Sequence, residues 1–306
     1  MSVSNAYLAL SGAVDADVTC GERLSRRTSW RIGGPAAMLA VCHTPLALAR
    51  VIEVLTAQDV DWVVMGKGSN VLVSDDGFDG CVVVLGHEFS RIEVSAADAT
   101  VTAGAAALLS RVVTEAMKAS LAGLEFACGI PGTLGGAVSM DAGTRREWIG
   151  PLVRSLVVFR PGTGLVRLGG SEVTWGYRWC SLGPADIVLE ATLGLVPGAR
   201  EDIARDMEAR LARRRATQPM GRPTCGSVFR NPLGPKGAGE LIEQAGLKGM
   251  TAGGAQVSTE HANFIVNTGR ATASDVLALM RAMQSRVREV SGVDLQPEVK
   301  FVGFTS

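Results

Sequence analysis

The chain has 306 residues, of which 47% are hydrophobic, and its 30 basic and 30 acidic side chains give a formal net charge of zero. This composition excludes a globally disordered chain, and the length allows two or three domains. A balanced charge disfavours nucleic-acid binding through a general basic surface. The longest charge-free run, residues 32–49, contains glycines and prolines, so we expect no transmembrane helix.

The six cysteines are scattered along the chain, and no two of them form a C-x-x-C pair. In a chain of this size that pattern favours a reduced cytoplasmic protein over a disulfide framework or a zinc site, so we expect no metal centre. The first basic residue is Arg23, and a secretory signal with a charged leading region is therefore not indicated.

The first part of the chain predicts alternating strands and helices. Residues 1–27 are interpreted as an extended or partly helical arm, and residues 28–38 as a strand that enters a turn at Gly-Gly-Pro. A helix follows, with Thr44 as its N-cap and Pro45 at its first position. Further strands are predicted at residues 62–65, 71–73 and 81–85.

Residues 66–70 (GKGSN) form the first of two glycine-rich loops. Residue 71 is valine and a strand follows, so the dinucleotide-binding G-x-G-x-x-G pattern is not met. Ser69 and Asn70 can donate hydrogen bonds to phosphate oxygens beside the two glycines. A simple hairpin turn fits the same residues equally well.

The second glycine-rich loop, residues 129–143 (GIPGTLGGAVSMDAG), follows a hairpin predicted at 92–94 and 100–103 and a helix predicted at 105–120. Its glycines remove Cβ atoms and can turn successive N–H groups toward a phosphate. No Gly-Lys-Ser/Thr follows, so the loop is not a P-loop. The alternative is a tight connection between two strands.

Arg178 stands out between Tyr177 and Trp179 in a region of strands predicted at 156–159, 165–168 and 187–195. A guanidinium in this position can act as an anion clamp, because its planar fork matches a carboxylate. The alternative is a surface arginine that stacks on its aromatic neighbours.

The last third begins with a helix at residues 201–215, whose arginine-rich end matches the helix dipole, and a domain boundary is predicted near residues 198–218. Ser227, beside Gly226 in the loop that follows, is interpreted as a proton donor, a ligand contact or a plain turn residue. His261 is more typical of a structural hydrogen bond than of a catalyst.

A short helix at residues 239–246, strands at 256–258 and 264–267 and a long helix at 272–290 complete the predicted elements. In the closing segment the apolar residues 295, 299 and 301 alternate, which predicts a strand with Glu298 and Lys300 on its opposite face. On its own, Glu298 is then a solvated side chain.

Seven short motifs follow one another in a fixed order. They are RIGGPA at 31–36, GxGSNxL at 66–72, GIPGTLGGA at 129–137, YR at 177–178, GSVFRNP at 226–232, GAQVS at 254–258 with HANF at 261–264, and PEV at 297–299. Together they closely resemble the UDP-N-acetylenolpyruvoylglucosamine reductase family, the UDP-N-acetylmuramate dehydrogenases, from about residue 27 to the end of the chain.

The resemblance implies an α+β flavoprotein. Its FAD-binding domain is of the p-cresol methylhydroxylase/vanillyl-alcohol oxidase type in two α/β subdomains, residues 1–85 (arm 1–27) and 86–200, followed by a smaller α+β substrate-binding domain at 201–306. FAD is held without a covalent bond, since neither loop contains a histidine. The expected FAD contacts are Ile32, Gly33, Gly34, Gly66, Gly68, Ser69, Asn70, Pro131, Gly132, Thr133, Gly135, Gly136 and Ala137.

The resemblance also implies a reaction: NADPH-dependent reduction of UDP-N-acetylglucosamine enolpyruvate to UDP-N-acetylmuramate, in peptidoglycan precursor synthesis. Hydride reaches the substrate's terminal vinyl carbon from N5 of FAD. Arg178 and Glu298 match the pair that stabilises the enolate-like intermediate, and Ser227 matches the proton donor. Tyr177, Asn231 and Gln256 match substrate-binding positions. We expect a cytoplasmic monomer without nucleic-acid or membrane partners.

The chain departs from the family pattern at the rim of the second loop. Asp141-Ala142-Gly143 stands where the family often has Asn-Ala-Gly, and residues 144–147 (TRRE) replace an aromatic residue and glycines. The compact C-terminal part leaves no room for a long inserted lid over the substrate. The alternatives are an FAD-dependent oxidase or dehydrogenase of a small alcohol or hydroxy acid on the same fold, and a non-catalytic nucleotide-binding protein.

Overall fold

The computed structural model describes residues 2–304, in which helices and strands are mixed. The helices are α1 (Val3–Leu10), α2 (Pro45–Ala57), α3 (Leu109–Lys118), α4 (Leu134–Ser139), α5 (Arg200–Thr217), α6 (Ala238–Gln244) and α7 (Ala273–Ser291). The strands are β1 (Ala16–Cys20), β2 (Ala36–Cys42), β3 (Trp62–Val64), β4 (Val71–Val73), β5 (Phe78–Leu85), β6 (Ile92–Ser95), β7 (Thr100–Gly104), β8 (Leu121–Ala122), β9 (Val153–Arg160), β10 (Gly164–Gly169), β11 (Trp175–Gly176), β12 (Trp179–Cys180), β13 (Ile187–Gly194), β14 (Val196–Pro197), β15 (Thr251–Ala252), β16 (Ala255–Val257), β17 (Ile265–Asn267) and β18 (Lys300–Val302).

The chain forms two compact units, each assembled from separate stretches of sequence. The first unit contains the chain up to Cys20, Met38–Gly66 and Gly80–Arg213, and the second contains Gly21–Ala37, Lys67–Asp79 and the chain from Arg214 onward. The three-domain division expected above stays a prediction.

The first unit contains a four-stranded sheet in the order β1-β2-β5-β3. Strands β1 and β2 pair antiparallel, whereas β3 and β5 pair parallel. Helix α2 buries Leu48, Val51, Ile52 and Leu55 in the core beside this sheet, and their helical spacing forms one apolar stripe. The Thr44 side chain accepts a hydrogen bond from the Ala47 N–H at 3.2 Å, which confirms the predicted N-cap.

A second sheet of the first unit has five antiparallel strands in the order β10-β9-β13-β7-β6. Helix α3 covers it with a buried face that includes Val112, Val113 and Ala116. The helix begins at Leu109 and not at residue 105, because Leu108 has an extended backbone and forms a β-bridge with Thr133.

The second unit contains the three-stranded sheet β15-β16-β17, the parallel pair β4-β18, and helices α6 and α7. Helix α7 starts with a capping box between Thr272 and Asp275 and ends at Gly292, which has a φ of 71°. Trp30 is fully buried in the core of this unit, where its Nε1–H donates to the Ile265 carbonyl at 2.7 Å.

Two predicted strands differ from the structure. The strand predicted at 28–38 begins only at Ala36, because the preceding residues form a turn in which Arg31 has a φ of 58° and Gly33 a φ of 131°. The closing strand is confined to β18, and Phe301 is 41% exposed where the alternation predicted a buried side chain. Its ring packs edge-on against Phe304.

Among residues 2–304, the helices all fall short of the length and apolar character that a bilayer crossing requires.

Candidate active site

The predicted site residues are divided between the two units. The first unit holds Gly66, Pro131, Gly132, Thr133, Gly135, Gly136, Ala137, Tyr177 and Arg178. The second unit holds Ile32, Gly33, Gly34, Gly68, Ser69, Asn70, Ser227, Asn231, Gln256 and Glu298.

The second glycine-rich loop leads into the short helix α4, which the sequence analysis did not predict. Thr133 is the N-cap, and its side-chain oxygen accepts from the Gly136 N–H at 3.4 Å. The N–H groups of Leu134 and Gly135 donate to the carbonyls of Ala107 and Ala105, both at 2.9 Å. The first amides of this helix are therefore already hydrogen-bonded within the protein.

Two other amides of the loop are available to an anion. Within the described part of the chain, the N–H groups of Gly132 and Thr133 take part in no hydrogen bond. Gly132 has a φ of 130°, which is a conformation that essentially only glycine adopts. The loop thus presents two adjacent donors just before the helix, as a phosphate-binding turn does.

The glycines of this loop have different reasons to be glycine. A Cβ on Gly66 would lie 2.6 Å from the Thr133 Oγ1, and one on Gly135 would lie 2.7 Å from the Ala105 Cβ, so protein packing explains both. A Cβ on Gly136 would meet only the Thr133 Oγ1, at 3.6 Å. A helix favours alanine over glycine, and packing within the protein does not require glycine here. The open space beside Gly136 fits a ligand that approaches the backbone closely. The loop therefore fits the diphosphate of FAD.

Two stretches of the second unit that are predicted to contact FAD pack tightly against neighbouring backbone. A Cβ on Gly34 would lie 2.2 Å from the Asp75 carbonyl oxygen, and one on Gly68 would lie 2.2 Å from the Arg27 carbonyl oxygen. The Gly68 carbonyl also accepts the Ser29 N–H at 3.0 Å. Packing alone requires these two glycines, and their contact with FAD stays a prediction.

The structure brings the segments that carry Ser227 and Glu298 side by side. Ser227 forms a β-bridge with Phe264, and the next residue, Val228, accepts the Glu298 N–H at 2.8 Å. Both predicted catalytic side chains are half-buried. Residues far apart in sequence thus meet on adjacent extended segments of the second unit.

Asn70 connects the first glycine-rich loop to the same segment. Its side-chain amide donates to the Glu298 carbonyl at 3.2 Å, and its own carbonyl accepts the Lys300 N–H at 3.0 Å. The predicted cofactor loop and the backbone segment that carries Glu298 are therefore held next to each other.

Asn263 fixes the segment that follows Ser227, a role that sequence reasoning missed. This asparagine is 3% exposed, and its side chain accepts the Phe229 N–H at 3.0 Å and donates to the Phe229 carbonyl at 2.8 Å. A buried amide that pairs with both backbone groups of one residue holds an extended segment as a strand neighbour would. The HANF motif was the available signal for it.

His261 has the structural role that the sequence favoured. Its Nδ1 accepts the Asn263 N–H at 3.2 Å, and burial lowers the pKa of its imidazole. A neutral imidazole is required for this acceptor role.

Cys225 lies two residues before Ser227 and is buried. Burial raises the pKa of its thiol well above the ordinary value, and the Glu298 carboxylate raises it further. This cysteine therefore stays a thiol at neutral pH and offers no nucleophile.

Two predicted substrate contacts have bonds within the protein. The Asn231 side-chain oxygen accepts the Ala238 N–H at 3.0 Å and thereby caps helix α6. The Gln256 side-chain amide donates to the Gly249 carbonyl at 3.4 Å. Their contact with substrate stays a prediction.

Arg178 lies at the tip of the β11-β12 hairpin with a φ of 60°, which is uncommon for a residue other than glycine. Its guanidinium lies 5.0 Å from the centre of the Tyr177 ring and donates to the carbonyls of Gly143 at 2.9 Å and Asp141 at 3.4 Å. The Arg178 guanidinium therefore both stacks on Tyr177 and has its orientation fixed by two backbone carbonyls. The rim of the second loop, where the chain departs from the family pattern, supports this arginine.

Asp141 is 2% exposed and has a φ of 42°, which aspartate and asparagine tolerate better than most residues. Its Oδ1 accepts the Gly150 N–H at 2.9 Å. Burial raises the pKa of this carboxyl, while the Gly150 hydrogen bond and the Arg178 charge oppose that rise.

Comparisons with known proteins agree with this geometry. Residues 36–164 match the family model of an FAD binding domain, and residues 218–302 match that of the UDP-N-acetylenolpyruvoylglucosamine reductase C-terminal domain. A UDP-N-acetylenolpyruvoylglucosamine reductase of Heliobacterium modesticaldum is 45% identical over 283 residues, which are 92% of this chain and 90% of that protein.

Solved structures give the same result. The crystal structure of UDP-N-acetylenolpyruvylglucosamine reductase from Thermus caldophilus has a TM-score of 0.80 and 36% identity, covering 94% of this chain and 98% of its own. The glucose dehydrogenase Phl p 4.0202, at 14% identity and a TM-score of 0.50, shares the fold over 64% of this chain and 44% of its own. The expected α+β class with an FAD-binding domain is confirmed. The chain belongs to the UDP-N-acetylenolpyruvoylglucosamine reductase family.

Proposed function

We propose that this chain reduces UDP-N-acetylglucosamine enolpyruvate to UDP-N-acetylmuramate with NADPH as reductant, in peptidoglycan precursor synthesis. Family membership supports the reaction and FAD as its cofactor. The observation that carries the assignment is that the Ser227 and Glu298 segments lie side by side, with Asn70 of the cofactor loop bonded to the Glu298 carbonyl.

Each proposed catalytic residue answers a specific need of the reaction. An enol ether accepts hydride poorly unless negative charge can move onto its carboxylate, so the active site must stabilise that charge. FAD, when bound, supplies the hydride. Arg178 binds the developing negative charge, since a guanidinium keeps its charge and presents two parallel donors.

Ser227 is the proposed proton donor to the carbon next to the reduced one. A serine hydroxyl is a weak acid, so the transfer depends on the high basicity of the enolate-like intermediate and on hydrogen-bonding neighbours. Glu298 acts beside it as a protonated or hydrogen-bonded group, because a bare carboxylate would repel the intermediate. Tyr177, Asn231 and Gln256 are the proposed substrate contacts.

The proposed setting is the cytoplasm, with the chain acting as a monomer on a UDP-sugar and without a nucleic-acid partner. The formal net charge of zero supports the last point, because phosphate backbones are bound mainly by excess basic charge.

The test is anaerobic stopped-flow kinetics of the two half-reactions. NADPH should reduce the bound flavin, and UDP-N-acetylglucosamine enolpyruvate should reoxidise it. Ser227→Ala should leave flavin reduction unchanged and slow reoxidation about a hundredfold, the usual range for a lost proton donor. Ser110→Ala, on the exposed surface of α3, is the matched control. Absence of reoxidation in the unaltered enzyme would refute the proposed function, and equal loss in both half-reactions would refute the role of Ser227.

A further inference from the structure

The turn at residues 143–147 is closed by its own hydrogen bonds. The Thr144 N–H donates to the Glu147 carbonyl at 2.7 Å, and the Glu147 N–H donates to the Thr144 Oγ1 at 3.2 Å. Gly143 forms a β-bridge with Trp148, and a Cβ on Gly143 would lie 2.3 Å from the Glu147 carbonyl oxygen. The direction of the Gly143 carbonyl therefore depends on the geometry of this turn.

A bidentate ion pair ties the turn to helix α5. The Arg210 Nη1 and Nη2 atoms donate to the two carboxylate oxygens of Glu147 at 2.7 and 3.1 Å. The Arg210 Nε donates to Asp206, one helical turn earlier, at 2.9 Å. The guanidinium of Arg210 is planar, so its three donating N–H groups lie in one plane. Its paired bonds to Glu147 therefore fix the orientation of the two side chains as well as bringing opposite charges together.

Two backbone carbonyls, one at the start of this turn and one just before it, hold Arg178. Its Nη2 donates to the Gly143 carbonyl and its Nη1 to that of Asp141, and these two bonds set the plane of the guanidinium. The left-handed backbone of Arg178 is strained and persists only where surrounding contacts hold it. The contacts run without a break from helix α5 through the turn to this arginine.

We infer that Glu147 and Arg210 are positioning residues, which clamp the 143–147 turn so that the Gly143 carbonyl, together with that of Asp141 just before the turn, orients Arg178 for the substrate carboxylate. The inference rests on the proposed function of Arg178. It assigns a role to the charged segment at residues 144–147: an ion pair with helix α5 fixes the turn.

Stability and activity separate this role from a merely structural one. Glu147 is 43% exposed and Arg210 30% exposed, so the pair contributes little to the stability of the fold. We expect Glu147→Gln and Arg210→Gln to fold normally and to bind FAD. Each should slow flavin reoxidation by UDP-N-acetylglucosamine enolpyruvate about tenfold, since small misplacements of a catalytic group have effects of this size or larger. Flavin reduction by NADPH should stay within about twofold of the unaltered enzyme, because the substrate carboxylate that Arg178 is proposed to bind is absent from that half-reaction.

The double variant sharpens the test. Glu147→Gln combined with Arg210→Gln should be no slower than Arg210→Gln alone, because both variants remove the same ion pair. Arg205→Gln, on the exposed surface of the same helix and paired with Asp202 within it, is the control.

A readout independent of turnover is hydrogen–deuterium exchange of the holoenzyme. Peptides covering residues 141–149 and 174–181 should exchange faster in both single variants. Their exchange rates should be unchanged in the Arg205→Gln control. Unchanged exchange in these peptides would overturn the inference, as would equal loss in both half-reactions. If the unaltered enzyme is not reoxidised by the substrate, the proposed function fails, and the exchange experiment still decides whether the clamp orders the Arg178 hairpin.

Discussion

Replacing Gly136 by alanine tests whether the second glycine-rich loop is a cofactor cradle. In this structure the added Cβ meets only the Thr133 Oγ1, at 3.6 Å, which is an ordinary van der Waals distance. The folded protein itself therefore has room for it. Because alanine is the better helix former, the free energy of unfolding of the apoprotein should stay the same or rise by up to about 1 kcal/mol.

The flavin affinity should change in the opposite direction. If a diphosphate approaches the open face of Gly136, the methyl group occupies the ligand's space, and overpacking of this kind costs about 1–3 kcal/mol. That corresponds to a loss of FAD affinity of roughly 5-fold to 150-fold. Only a ligand contact predicts a variant that is at least as stable and yet binds the cofactor less tightly.

Gly135→Ala is the matched control for this prediction. Its Cβ would lie 2.7 Å from the Ala105 Cβ and 3.2 Å from the Ala105 carbonyl oxygen, closer than the 3.5–4.0 Å optimum for carbon atoms. We expect the apoprotein to lose about 1–3 kcal/mol of stability. The assays are urea unfolding of the apoproteins and titration with FAD, followed by quenching of flavin fluorescence. FAD affinity equal to that of the unaltered protein in Gly136→Ala would refute the cradle.

Two further predictions concern single carboxylates. Burial raises the pKa of Asp141, so its contribution to stability is complete below the ordinary value of 3.8 and is lost as pH rises through the folded pKa. Asp141→Asn keeps the acceptor for the Gly150 N–H. The variant should raise the free energy of unfolding at pH 7 but much less at pH 4. An equal gain in the free energy of unfolding at both pH values would contradict this. The Asp75 carboxylate accepts the Ala273 N–H at 2.7 Å and the Ser274 N–H at 2.9 Å at the start of α7. Asp75→Ala should therefore cost about 1 kcal/mol in urea unfolding, with Asp76→Ala as control, and equal stability of the two variants would show that the cap is unimportant.

Local sequence signals determined much of the fold. Thr44 with Pro45 marked the start of a helix, because capping uses residues adjacent to the helix and needs no distant partner. The two glycine-rich loops were found for the same reason, since a special backbone conformation restricts the residue at that position. The motif order gave the family, and the comparisons confirmed it.

Other features depend on residues that are distant in sequence. Helix α4 has six residues, too few for a periodic signal, and it forms where Leu134 and Gly135 donate to carbonyls of the segment at 105–107. Strand β4 pairs in parallel with β18 at the opposite end of the chain, which no local pattern specifies.

For the site, the sequence by itself marked Arg178 as a candidate anion clamp and left Ser227 and Glu298 open to ordinary structural roles. The resemblance to the family assigned these two residues to the chemistry. Only the tertiary structure showed that the Val228 carbonyl accepts the Glu298 N–H beside Ser227, and that carbonyls at Asp141 and Gly143 hold the Arg178 guanidinium. The physical reason is that a side chain's chemistry is encoded at its own position, whereas its orientation is set by hydrogen bonds to backbone that folding brings near.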